Sequence, residues 1–207
     1  MNQNDRVQQA LAELMSADAR VRVAAIEILA EYRHVPAVPQ LVILLDDADP
    51  GTRYVIVKAL GQIGDDSAVP ALLDALRGDD LWTRAAATGA LIRIGAAALS
   101  GLVRALRDED KAVRRAAAKA LGKIDDRSPD TYGDVLNGLS VALLDIDAGV
   151  RRFAAEALGR LGADAKVPEL AEVLSDGNAD VRIAAFRALA HIATPEAQAA
   201  VRSWVKR

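Results

Sequence analysis

The sequence predicts an all-α, right-handed solenoid of about six helical hairpins with partial hairpins at both ends. Three observations carry that prediction. First, an Asp-x-x-x-Arg element recurs as Asp18/Arg22, Asp49/Arg53, Asp80/Arg84, Asp110/Arg114 and Asp147/Arg151, and once more with Asn178 ahead of Arg182. The six arginines are separated by 31, 31, 30, 37 and 31 residues, a period that marks stacked supersecondary units. Second, each arginine sets an apolar register. Three positions on stand Ala25, Ile56, Ala87, Ala117, Ala154 and Ala185, and seven on stand Leu29, Leu60, Leu91, Leu121, Leu158 and Leu189. Ten on stand Tyr32, Ile63, Ile94, Ile124, Leu161 and Ile192, so the offsets trace one face of an α-helix. Third, leucines also lie four residues before each cap (Leu45, Leu76, Leu106, Leu143, Leu174) and eight before it (Leu41, Leu72, Leu102, Leu139, Leu170), the stripe of a second helix. One hairpin cannot bury two apolar faces alone, whereas a stack of hairpins can.

Taken in order, Val7, Leu11 and Leu14 read as the second helix of an incomplete unit over 3–17. Full repeats follow at about 18–48, 49–79, 80–109, 110–146, 147–177 and 178–207, giving one domain over 1–207. The aspartate opening each first helix is a good N-cap, because its carboxylate accepts first-turn N–H groups that lack a helical partner. Gly64, Gly95 and Gly162 follow the apolar stripe where a left-handed cap is expected, and the glycines as a set read as caps. Val38-Pro39, Val69-Pro70 and Val167-Pro168 then start the second helices, since proline suits a first helical turn. The long 37-residue spacing places extra residues at Asp125–Asp134, rich in Ser, Pro, Asp and Gly, between the two helices of the fourth repeat. That stretch is expected to be a loop, either a tolerated surface insertion or a projection that carries binding. Thr194-Pro195 starts a final helix carrying Val201, Trp204 and Val205.

Bulk composition narrows the chemistry. The 207 residues are 52% hydrophobic but only 3% aromatic, which suits close helix packing through small side chains. A formal net charge of −3 argues against a general nucleic-acid binder, whose affinity rests on phosphate neutralisation. There is no cysteine, which removes disulfides, thiolate metal sites and thiol catalysis. The first residues carry no apolar run of the signal-peptide kind and no stretch approaches the length of a membrane span, so a cytoplasmic location without membrane insertion is expected.

The repeating unit resembles the HEAT-like repeat first described in phycobilisome lyases. It is fullest from Asp49-Pro-Gly-Thr-Arg53 through Ala59-Leu-Gly-Gln-Ile-Gly64-Asp65 to Ala68-Val-Pro70-Ala-Leu72, and the resemblance covers residues 18 to about 193. It implies an α-solenoid whose relatives include bilin lyase subunits, phycobilisome-degradation factors, hydroxylases and binding proteins. HEAT-like deoxyhypusine hydroxylases use paired His-Glu motifs to hold two irons. Here His34 precedes Val35 and His191 precedes Ile192, so that motif is missing. Both histidines fall at or near first-helix ends, where the helix dipole accounts for them. The isomerising bilin lyases carry a His/Cys motif, which a chain without cysteine lacks. A non-catalytic lyase subunit or phycobiliprotein chaperone stays open as an alternative, and no catalytic, cofactor or metal site is expected.

The twelve ladder residues Asp18, Arg22, Asp49, Arg53, Asp80, Arg84, Asp110, Arg114, Asp147, Arg151, Asn178 and Arg182 read as a structural stack, with an anion-binding stripe as the other possibility. Arg115 and Arg152, with Lys119, Lys123 and Arg160, form a candidate basic patch on an outer face, whereas HEAT-like DNA glycosylases, which are richer in aromatics, use a concave basic groove. Second helices line the concave side of such solenoids, and Gln40, Asp74, Arg77, Arg104, Arg107, Glu169 and Glu172 lie on them outside the apolar stripe. These residues vary between repeats, as a binding surface on a common frame would. Trp82 and Trp204 are candidate aromatic anchors or packing residues. The function expected is a non-enzymatic protein-interaction scaffold whose partner is another protein, with a phycobiliprotein among the candidates.

Overall fold

The computed structural model describes residues 2–47 and 49–206, all helix and connections with no strand among the described residues. The repeat limits placed at Ala48 and Arg207 lie outside them. Thirteen α-helices are described: α1 (Gln3–Glu13), α2 (Ala19–Glu31), α3 (Val38–Asp47), α4 (Pro50–Ile63), α5 (Val69–Ala75), α6 (Leu81–Ile94), α7 (Leu99–Ala105), α8 (Lys111–Leu121), α9 (Pro129–Ala142), α10 (Ala148–Arg160), α11 (Val167–Val173), α12 (Ala179–Ile192) and α13 (Pro195–Val205). The fold is an all-α solenoid built from two compact units that divide between Ala98 and Leu99, inside the repeat at about 80–109. In the first unit α2, α4 and α6 pack side by side, with α1 against α2, α3 against α4 and α5 against α6. In the second, α8, α10 and α12 form the corresponding row, flanked by α7, α9, α11 and α13. Among the described residues no single helix is long and apolar enough to cross a membrane.

Why these segments become helices is plain at their ends. All six first helices open on the side chain of a ladder residue: Asp18, Asp49, Asp80, Asp110, Asp147 and Asn178 each accept a hydrogen bond from a backbone N–H of the first turn. At the other end, the residue eleven positions after five of the arginines takes a positive φ: Arg33 (46°), Gly64 (76°), Gly95 (82°), Gly162 (62°) and Ala193 (55°). The reversal is thus kept where no glycine supplies it, which strains Arg33 and Ala193. Gly64 has the left-handed cap geometry, whereas Gly95 pairs its positive φ with ψ −127°, outside that region. A 3₁₀ turn then precedes four second helices, over Val35–Ala37, Asp66–Ala68, Ala96–Ala98 and Asp164–Lys166.

Burial follows the repeat. The residues three and seven positions after each arginine are fully buried in all six repeats, as are the leucines eight residues before the caps. The ten-position residues are less uniform, with Tyr32, Ile94 and Ile192 only partly covered.

Two expectations about sequence punctuation need correction. Asp125–Asp134 is not a loop throughout: α9 starts at Pro129 and runs 14 residues, against seven in α5, α7 and α11. Proline at the first helical position and Asp130 in the first turn favour helix nucleation there, so the insertion lengthens a helix. Tyr132 on the added turn donates to the Leu161 carbonyl at 3.0 Å, tying α9 to the end of α10. Nor are the glycines all caps. Gly61 and Gly159 lie within helices and Gly122 ends α8, and each faces an alanine of the next first helix: a Cβ added there would meet Ala90 at 2.5 Å, Ala188 at 2.7 Å or Ala157 at 2.6 Å. Real Cβ contacts do not come so close, so these helices meet almost backbone to backbone.

Gly159→Ala is therefore expected to destabilise the protein by about 1–3 kcal/mol through overpacking. Ala193→Gly is expected to stabilise it by roughly 0.5–1 kcal/mol through relief of the left-handed strain. Urea unfolding of both variants beside the wild type checks the opposite signs.

Candidate functional site

The polar ladder comes first, because it positions everything near it. Five of the ladder arginines reach back to the carbonyls six and five residues earlier, in the turn between the preceding second helix and the cap. Arg22 donates to Ser16 and Ala17, Arg84 to Gly78 and Asp79, Arg114 to Asp108 and Glu109, Arg151 to Asp145 and Ile146, and Arg182 to Asp176 and Gly177. Those carbonyls belong to the turn just beyond the second helix, so the guanidinium satisfies that turn and ties it to the next first helix. In the second unit two arginines also reach forward. Arg114 grips Asp145 at 2.7 and 2.9 Å, and Arg151 grips Asp176 at the same two distances. Arg115, beside the ladder, makes a third bidentate pair with Asp147 at 2.6 and 2.5 Å.

These pairs leave their mark on the carboxylates. The Arg115 hydrogen bonds, opposed by burial and helped by first-turn N–H groups, hold Asp147 at about 2. The Arg151 bonds hold Asp176 below the usual carboxylate range. For Asp145 burial pushes upward, but the Arg114 bond and the Asp147 N–H together outweigh it and the net direction is down.

The pairs also take two of the five cations out of the outer basic patch. Arg115 is committed to Asp147; Arg152 pairs with Glu156 at 3.2 Å and lies 4.2 Å from the centre of the Phe153 ring. Only Lys119, Lys123 and Arg160 of that group remain as exposed cations without a described partner of this kind. Trp204 packs on Phe186, ring centres 5.7 Å apart, whereas Trp82 is 73% exposed at the start of α6. His34 and His191 sit in different units, and among the described residues no three His, Asp or Glu side chains are grouped to hold a metal ion.

The seven candidate partner-binding residues fall on one stripe of the second helices, at nine, six and three residues before the next cap. Gln40 and Glu169 occupy the first of these offsets, Asp74, Arg104 and Glu172 the second, Arg77 and Arg107 the third. In the first unit Gln40 is exposed on α3, while Asp74 and Arg77 pair with each other at 2.8 Å. In the second unit Arg104 and Arg107 are exposed at α7, and Glu172 is exposed on α11. Glu169 is half-buried, accepts a hydrogen bond from Ser140 at 3.0 Å and pairs with Lys166 at 3.4 Å.

Reading only polar residues misses the rest of that stripe. At the same offsets of six and three stand Val141 and Leu144 on and just beyond α9, 58% and 80% exposed. Ile146 beside them is 94% exposed. In the first unit the stripe carries exposed Ile43 and Met15. Hydrophobicity alone does not separate these from core leucines, but their offset from the cap does. Val141 and Leu144 line one wall of a groove of about 500 Å³ whose other wall carries Glu169, Glu172 and Ser175.

A stacked array of two-helix repeats, capped by aspartate and clasped by arginine, defines the class. The chain belongs to the HEAT-repeat family: the family model for HEAT repeats matches residues 6–92, 73–140 and 136–207. Among solved structures it is similar to the complex of CpcE and CpcF of phycocyanin lyase from Nostoc sp. PCC7120, at 29% identity and TM-score 0.59 over 74% of this chain and 98% of that one. It is also similar to an engineered protein at 25% identity and TM-score 0.53, covering 93% and 97% of the two chains. A designed armadillo repeat protein in complex with the peptide (KR)4, at 20% identity and TM-score 0.53 over 93% and 100%, shares the fold. No curated protein sequence gives a significant match.

The lowered pKa values of these carboxylates set a sign for pH dependence. A carboxylate held low in the folded state contributes stability above its unfolded value of about 3.9, and that stability is lost as pH falls toward the folded value. For Asp147 the window runs from about 4 down to about 2. The urea midpoint of the wild type is expected to fall through that window, and Asp147→Asn to flatten part of the fall.

Proposed function

We propose that this HEAT-repeat chain is a non-enzymatic protein-interaction scaffold that binds a partner protein on the exposed stripe of its second helices. The carrying observation is a contrast within each helix. Positions eight and four residues before the cap are leucine and buried in repeat after repeat, whereas positions six and three before it are exposed and change from charged to apolar. A frame held constant by packing can present a changing surface without changing its own stability. Gln40, Asp74, Arg77, Arg104, Arg107, Glu169 and Glu172 are the polar residues of that surface, joined by Val141 and Leu144.

A second reading rests on the similarity to the CpcE–CpcF complex of phycocyanin lyase. In it the chain serves as a lyase subunit or phycobiliprotein chaperone, with the partner another repeat chain or a phycobiliprotein. A visible chromophore band on protein purified from its native source would favour this reading, and a colourless protein with other partners would turn the balance to a general scaffold.

The test of the surface is a double charge reversal, Arg104→Glu with Arg107→Glu. Both residues are exposed, so the thermal midpoint is expected to stay within the small range of surface substitutions. Partner protein captured from native lysate and identified by mass spectrometry is expected to bind roughly tenfold more weakly, a loss of about 1.4 kcal/mol. Undiminished binding of the captured partner would remove this stripe from the interface.

A further inference from the structure

The stripe in the second unit has an order that its separate residues do not reveal. At the two offsets six and three residues before the cap, α7 supplies Arg104 and Arg107, α9 supplies Val141 and Leu144, and α11 supplies Glu172 and Ser175, with Glu169 one turn earlier. The helices stand in that sequence in space. α7 packs on α9, and Ser140 of α9 donates to Glu169 of α11 at 3.0 Å. The face therefore runs from positive, through apolar, to negative. On the stripe itself the signs hold: Arg104 and Arg107 are exposed there, the half-buried Asp108 beside Arg107 turns its carboxylate to the Asp110 N–H at 3.0 Å, Glu109 lies off the stripe, and Lys166 beside Glu169 leaves the α11 end net negative. Asp145 and Asp176, at the inner edge of the groove, are each neutralised by a bidentate arginine.

Such an order is complementary to itself. Turned by half a revolution about an axis through α9, the positive end meets the negative end twice and the apolar centre meets its own copy. That is the requirement for an isologous two-fold interface, in which the same patch serves both sides. It also has the anatomy of a stable interface, apolar in the middle and charged at the rim. The first unit offers no such order, since Asp74 and Arg77 cancel each other at 2.8 Å within one helix turn.

We propose that a second copy of this chain docks on the α7–α9–α11 face, with Val141 and Leu144 at the two-fold axis and Arg104 and Arg107 of each copy facing Glu169 and Glu172 of the other. The inference rests on the reading of the second-helix stripe as an interaction surface and names the partner for its second half. Ile146, 94% exposed next to the apolar pair, is covered in the same event. The rim pairs make the association weaken with added salt, because exposed charges are screened over about 10 Å at 0.1 M.

Sedimentation equilibrium of the purified full chain tests it. The wild type is expected to move with rising concentration from the 21.9 kDa chain mass toward twice that mass. Leu144→Glu is expected to raise the dimer dissociation constant about 30-fold or more, the scale of an interface hot spot, with an unchanged circular dichroism spectrum because the side chain is 80% exposed. The decisive arm uses two variants, Arg104→Glu/Arg107→Glu and Glu169→Lys/Glu172→Lys. Each alone is expected to be monomeric, and an equimolar mixture is expected to recover a heterodimer, since every rim contact regains opposite charges. A wild type monomeric throughout the accessible concentration range overturns the proposal, as does a dimer indifferent to Leu144→Glu or a mixture that stays monomeric. A monomeric wild type whose captured partner is still lost with Arg104→Glu/Arg107→Glu would overturn self-docking while leaving the scaffold reading in place.

Discussion

Everything else in this molecule is built on the approach of one first helix to the next at Gly61/Ala90, Gly122/Ala157 and Gly159/Ala188. Helices packed through ordinary side chains keep their axes about 8–10 Å apart. Where one partner has no Cβ and the other has only a methyl group, the backbones themselves make the contact, and little freedom is left in the distance or the register. The fully buried Ala117, Ala154 and Ala185 belong to the same close-packed row. This explains a composition so rich in alanine and so poor in aromatics: a large side chain anywhere along the row would push two repeats apart.

Fixed separation is what allows the arginines to work across repeats. Arg114 spans from the carbonyls of the turn after α7 to the carboxylate of Asp145, and Arg151 repeats the arrangement one repeat on with Asp176. The side chains of Arg114 and Asp145 are each only 12% exposed. Burying such a pair carries a desolvation penalty that can offset most of the attraction, so the net stability it supplies is small. What it supplies instead is discrimination. A repeat shifted by one residue would strand a buried guanidinium and a buried carboxylate together, and that state is costly. The glycine–alanine contacts set how near the repeats come, and the ladder penalises every alternative register.

How much of this could be read from the chain depended on whether a feature repeats. Leu121 and its five counterparts, or Leu139 and its four, announce themselves because one physical job recurs at one offset, and the structure buries them all. Asp110 as a cap is legible for the same reason. Pro129–Asp134 was not, since Ser, Pro, Asp and Gly suit a loop and a helix start equally well, and only the packing of Tyr132 on the end of α10 shows which prevailed. Gly159 looks like any glycine near a helix end until its distance from Ala188 is known. Val141 and Leu144 are the instructive case. Their hydrophobicity points inward, yet their offset from Asp147 matches that of Arg104 and Arg107 from Asp110, which places them outward.

That mismatch between residue type and position is where function enters. An apolar side chain on the solvated stripe loses water contacts without gaining packing, and nothing in the stability of the repeat calls for it. Scattered single exposures are ordinary, because most protein surfaces are rich in apolar atoms. Val141, Leu144 and Ile146 are not scattered: they fall within six residues, the first two on one edge of a groove whose other edge carries a glutamate pair. The frame makes this possible by holding α7, α9 and α11 at set separations, so that residues far apart in sequence form one surface with one polarity. The repeat thus fixes where a side chain will stand, and the departure from the repeat determines what that position can recognise.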